Sequence, residues 1–175
     1  MYYFLFVKGD RWFSHKSKRY FISQIKADFQ AASLYCEDQY NGSLVAINDS
    51  TENTVLNDII RTLAQGTNDS AIIPYWIGLK DLNGTFTNAV WVSSNSSIPN
   101  WNLWYKNIIV NSSKLCAGAY IDNSTAQLRW INLNCKDRIR FICQLGRQPF
   151  GIRVYDIVER YMHINANFHF ISFSI

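Results

Sequence analysis

Four cysteines and one short apolar run constrain this chain more than anything else in it. Cys36 stands alone near the start, whereas Cys116, Cys135 and Cys143 gather toward the end. Between them lies Tyr75-Trp76-Ile77-Gly78-Leu79, β-prone and broken only by one glycine. An even number of cysteines fits disulfides, which persist in oxidising compartments, and four of them allow three pairings. Zinc is the competing use. Four thiolates could hold it, but no C-x2-C pair exists and Cys36 is remote in sequence.

Around these landmarks the apolar spacing marks out elements. Residues 1–19 read as a loose arm whose basic cluster, Lys16, Lys18 and Arg19, is solvated. Residues 20–22 are a short strand candidate. Phe29, Ala32 and Cys36 repeat at helical spacing, which predicts a helix over 26–40. It should stop at Asn41-Gly42, with the glycine as left-handed cap. Residues 44–47 form a short buried stretch. Asp49-Ser50-Thr51-Glu52 has capping-box spacing. Val55, Leu56, Ile59, Ile60 and Leu63 then share one face, predicting a second helix that ends near Gln65-Gly66.

Residues 67–70 are a polar loop and 75–79 a strand. Asn83-Gly84 signals a turn, and Trp91-Val92 a short return. Residues 93–113 are irregular, rich in Asn and Ser, yet carry Trp101, Trp104 and Tyr105. A loop that long in a compact domain is usually functional or disordered, and the aromatics argue against disorder. Three short strands follow at 115–121, 127–131 and 140–144. Residues 146–175 form a tail of uncertain structure. Its Phe168, Phe170, Phe173 and Ile175 suit an extra strand or translated non-coding sequence, and the residues do not choose between these.

With Phe141-Ile142-Cys143 closing the set, this layout resembles the C-type lectin-like domain over residues 20–145. The resemblance implies an α+β fold, with two helices flanking short antiparallel sheets and a long loop region. It also selects the disulfides Cys36–Cys143 and Cys116–Cys135. Trp76, Trp91, Trp101 and Trp130 match core positions of that family.

In the family's sugar-binding members, calcium is held by a Glu-Pro-Asn or Gln-Pro-Asp run in the long loop. A Glu two residues before the third-last cysteine and a Trp-Asn-Asp run before the penultimate one complete the site. Calcium takes about six to eight oxygens, and carboxylates supply most of its binding energy. The matching region here is 101–107. Pro99-Asn100 lies before Trp101, and Ile98 stands where the acid belongs. The Glu position holds Lys114, and the Trp-Asn-Asp run reads Trp130-Ile131-Asn132. Asn107 and Asn132 keep neutral oxygens only. No metal or other cofactor is therefore expected. The candidate ligand contacts are Trp104, Tyr105, Lys106, Asn107, Lys114, Arg129 and Asn132. Trp104 and Tyr105 match no core position. Replacing both with Ala is expected to leave the melting temperature nearly unchanged while abolishing ligand capture.

Asn-x-Ser/Thr sequons begin at Asn41, Asn48, Asn68, Asn83, Asn95, Asn111 and Asn123, where the chain's Asn, Ser and Thr content predicts about two by chance. Sequons acquire glycans only in the secretory pathway, so an extracellular glycoprotein is expected. Residues 1–7 are apolar but lack a basic lead-in and a longer apolar core, so a fragment or an imperfect gene model of a longer secreted or membrane-anchored protein is expected, with a signal peptide, an anchor or further domains upstream. No run of about twenty apolar residues is present to cross a membrane as a helix. A formal charge of +4 on scattered residues gives no footprint for nucleic acid. His15, His163 and His169 all fall outside the compact region, and no catalytic motif marks the chain, so no enzyme is expected.

Together these readings point to non-catalytic extracellular recognition of carbohydrate with little or no calcium dependence. The alternatives are a calcium-independent module binding a protein surface, as receptors and adhesion proteins do, and a ligand-free structural module of a larger mosaic protein.

Overall fold

The structure, a computed structural model, describes residues 11–65, 73–81, 89–98, 104 and 113–145. The expected turn at Asn83-Gly84, the loop at 67–70, Trp101 and the tail from 146 lie outside these residues.

The chain opens with a hairpin, β1 (Trp12–His15) and β2 (Lys18–Ile22), turning at Lys16 in the left-handed region. Residues 12–19, read from sequence as part of a loose arm, are thus strand and turn. Of the basic cluster, Lys16 and Arg19 are exposed as expected, but Lys18 is not. Lys18 reaches inward to Glu52 Oε1 at 2.7 Å, Lys16 pairs with Asp49, and Arg19 lies over the Trp12 ring.

Helix α1 (Phe29–Tyr40) starts where Asp28 accepts the Ala31 N–H at 2.9 Å, a side-chain cap for an otherwise unsatisfied donor. Its end departs from expectation. Asn41, not Gly42, takes the left-handed conformation (φ 49°), and its N–H donates to Glu37 O. That is the single bond of a left-handed cap, and Gly42 N–H donates further back to Cys36 O, satisfying a second carbonyl of the last turns. Gly42 is needed for a different reason. A Cβ there would stand 2.4 Å from Gln144 O, a backbone atom that cannot step aside.

After β3 (Ser43–Leu44), helix α2 (Ser50–Gln65) begins with the expected box in a shifted form. Asp49 accepts the Glu52 N–H at 2.7 Å, while Glu52 reaches back to the Asn48 N–H at 3.0 Å. Then come β4 (Tyr75–Lys80), β5 (Val90–Trp91), β6 (Cys116–Asp122), β7 (Gln127–Leu133) and β8 (Arg140–Leu145).

The strands run in the order β1-β2-β8-β4-β6-β7, with β3 added to β8 and β5 to β4. Every pairing is antiparallel except β4 with β8. The central strand β4 explains its own sequence. It is buried on both faces, so it reads as an unbroken apolar run rather than an alternation. Trp76 points into one core, with Phe29, Ala32 and Cys36 of α1. Tyr75, Ile77 and Leu79 point into the other, with Val55, Leu56, Ile59 and Ile60 of α2. Trp76 meets Phe29 edge-on at 5.5 Å and donates its indole N–H to Ala27 O, so the ring's single polar atom is satisfied.

All four cysteines are paired, as Cys36–Cys143 and Cys116–Cys135, which removes the zinc reading. The first bond ties α1 to β8. The second pins the start of β6 to the turn after β7.

Candidate functional site

The longest paired strands, β6 and β7, carry the site. Their register sets Ala117 opposite Asn132, Ala119 opposite Trp130 and Tyr120 opposite Arg129. Alternation along β7 divides its side chains between two faces. Leu128, Trp130 and Asn132 turn inward, whereas Arg129, Ile131 and Leu133 are half-buried on the other face. Arg129 is therefore not brought together with Asn132.

Trp130 is the anchor of this end. Its indole N–H donates to Asn53 Oδ1 at 3.2 Å, and Asn53 Nδ2 in turn donates to Leu128 O at 3.3 Å. A buried amide of α2 thus fixes the ring, a role that nothing in the sequence pattern marks. Two further tryptophans meet Trp130 edge-on, Trp91 at 5.6 Å and Trp104 at 5.8 Å. Trp76, Trp91 and Trp130 are buried as the family's core positions require. Trp104 is half-exposed, bridges its backbone to Trp130 and packs on the core. The three rings form a line from the interior to the surface.

Lys114 stands two residues before β6, half-exposed, where Leu115 O accepts the Asp81 N–H and holds the approach to the Cys116–Cys135 bond. Asn132 is 7% exposed and belongs to the packed face. The positions aligned with the family's calcium ligands thus hold an ammonium at Lys114, an apolar Ile131 and a neutral amide at Asn132. None of these three is a carboxylate of the kind calcium takes, and Asp81, whose N–H donates to Leu115 O, is fully buried. Among the described residues no group of three or more His, Cys, Asp or Glu is placed to hold a metal. Tyr105, Lys106 and Asn107 lie outside the described residues.

The turn joining β6 to β7 has its own electrostatics. Asp122 accepts from the Ser124 hydroxyl and N–H and from the Thr125 hydroxyl. Those bonds, with Arg129 nearby, hold its carboxyl below the usual range.

Comparison with known proteins agrees with this geometry. Snaclec A8 of Macrovipera lebetinus is 29% identical over 136 residues, covering 77% of this chain and 96% of its own length. Snaclec A4 of the same species is also 29% identical, covering 77% of this chain and 81% of its own. Among solved structures, human lithostathine superposes with a TM-score of 0.64 at 24% identity, covering 81% of this chain and 91% of that one. The C-type lectin domain of murine dendritic cell inhibitory receptor 2, solved in complex with an N-glycan, does so with 0.64 at 21%, covering 78% and 96%. At those identities the likeness to the solved structures is one of fold. The family profile described as the Lectin C-type domain matches residues 25–145, and the chain belongs to that family of typically non-catalytic recognition modules.

Proposed function

We propose that this chain is an extracellular recognition module that binds carbohydrate with little or no dependence on calcium. The observation that carries the reading is Trp104, half-exposed and edge-on to Trp130, in a domain whose Lys114 and Asn132 stand at positions where the family's sugar-binding members place carboxylates. An indole face stacks on the apolar face of a sugar ring. The half-exposed Lys114 ammonium supplies hydrogen-bond donors for hydroxyls without a metal between them. The N-glycan bound by the murine relative supports a glycan as the ligand class. Two disulfides and seven sequons support a place outside the cell. No helix among the described residues is long and apolar enough to cross a membrane.

A protein ligand is the second reading, since tryptophan with neighbouring basic residues is also what protein hot spots use. A glycan array probed in calcium and again in chelator separates the two. Sugar capture that survives chelation is the expected result. Capture lost in chelator would overturn the calcium-independent reading, and a blank array would favour the protein surface. Thermal unfolding supplies the second measure. A calcium site at about a hundred times its dissociation constant adds about 2.7 kcal/mol, or several degrees, and the expected shift is none.

A further inference from the structure

As a sequence pattern the sequons are scattered, but the fold gathers three of them. A groove of about 430 Å³ is walled by Asn41, Asn48, Ser93, Ser94, Lys18 and Gln144. Asn41 is the left-handed cap after α1. Asn48 lies in the segment leading into α2. Ser93 and Ser94 lead into Asn95, which sits at φ 53° in a turn closed onto Trp91 O. All three asparagines are exposed. Three segments remote in sequence thus bring an acceptor asparagine to the groove, Asn41 and Asn48 in its wall and Asn95 one residue beyond Ser94.

The floor of this groove is ill suited to a free ligand. Lys18 donates to Ala46 O at 2.9 Å and to Glu52. The Gln144 amide accepts the Ala46 N–H and donates to the Ser43 hydroxyl. These groups are committed within the chain, so a diffusing sugar would have to displace bonds already made. A sugar tethered to the rim meets no such demand, because the covalent link itself supplies the effective concentration.

We propose that Asn41, Asn48 and Asn95 carry N-linked glycans that together cover the groove face. The face that meets a partner is then the other end of the sheet, around Trp104 and Lys114. Gln144 on β8, in the groove wall with Asn41 and Asn48, is separated from Trp130 on β7 by β4 and β6, three strand spacings or about 14 Å, whereas the Asn95 turn closes on Trp91, one ring contact from Trp130. This proposal rests on the extracellular reading, since only secretory-pathway chains acquire such glycans.

The test secretes the full chain from mammalian cells behind a heterologous signal peptide and treats it with peptide:N-glycosidase. Peptide mapping should find Asn converted to Asp at 41, 48 and 95. Ser43→Ala, Ser50→Ala and Ser97→Ala should each remove one glycan from the intact mass. Hydroxyl-radical footprinting before and after glycan removal should show new exposure at 41–48 and 93–97 and none at Trp104 or Lys114. A secreted, disulfide-bonded chain with these asparagines bare, or glycosylated only elsewhere, would overturn the proposal. So would glycans whose removal exposes Trp104 as much as the groove. A chain retained inside the cell with free thiols despite the leader would instead overturn the extracellular reading, and the glycan proposal with it.

Discussion

Trp104 stands edge-on to Trp130, with ring centroids 5.8 Å apart and planes at 83°, and the two residues also bridge through their backbones. A residue that matches no core position of the family in sequence is therefore packed against the core. Trp104→Ala should cost about 1 to 2 kcal/mol, less than the full removal of a buried ring but including the edge-to-face term. Trp104→Phe, which keeps an edge toward Trp130, should recover most of that. Denaturant unfolding of both variants, read beside glycan capture, tests the dual role. Full stability in Trp104→Ala would mean that the packing contributes nothing.

The buried Glu52 carboxylate draws three donors from two segments, β2 and the stretch before α2. Lys18 Nζ and the Tyr20 hydroxyl both lie 2.7 Å from Oε1, and the Asn48 N–H donates to Oε2. Removing one partner of such a group costs more than the pair contributes, because the rest stay buried unmatched. Glu52→Ala should lose about 3 kcal/mol and Tyr20→Phe about 1 to 2. The same contact gives a pH signature. Burial first, then the bond and charge of Glu52, push the Tyr20 hydroxyl well above its ordinary value. A raised value in the folded chain means stability is full below the unfolded tyrosine value, near 10, and falls as pH rises beyond it. Thermal scans across the alkaline range should show a steeper decline for the parent chain than for Tyr20→Phe.

The fold was legible because its determinants are local and repetitive. The box at Asp49 to Glu52 and the stripe from Val55 to Ile60 needed no tertiary information. What escaped was set by contacts between remote segments. Asn41 takes the left-handed cap, and Gly42 is glycine instead because the backbone of β8 leaves no room for a Cβ there, which a sequence window cannot see. Likewise Lys18 looked like a solvated charge until Glu52, on another element, came within reach. Of the candidate site, the residue types at 114, 130 and 132 could be read directly. That Arg129 faces away from Asn132 follows from strand alternation once the strand is seen to run on to Leu133 rather than stop at Ile131.

The two disulfides should differ in what their loss costs. Cys36 and Cys143 are 107 residues apart, Cys116 and Cys135 only 19. In the chain-entropy account the long closure stabilises by about 4 to 5 kcal/mol and the short one by about 3. Paired Cys→Ala variants compared by denaturant unfolding should keep that order. The reverse order would show that packing at the β6–β7 end, rather than chain entropy, sets the cost.

Gly78 tests the central strand itself. A Cβ on this residue would lie 2.8 Å from Leu44 O and 3.1 Å from Leu44 C, both backbone atoms. The approach is close because Gly78 N–H donates to Val45 O at 2.8 Å and Val92 N–H donates to Gly78 O at 2.8 Å. The glycine thus lets β4 dock against the segment after β3 while holding the turn after β5. Gly78→Ala must push two backbones apart inside a closed core, and should cost at least about 2 kcal/mol, in the range of overpacking in tight cores. Gly118→Ala is the control. Its nearest neighbour, at 2.8 Å, is the flexible Leu133 Cδ1, with Tyr75 O next at 3.3 Å, so relief there requires a side-chain rotation rather than a backbone shift. Chemical unfolding should rank Gly78→Ala as the more damaging of the two, and equal costs would place the constraint on β4 elsewhere than at Leu44.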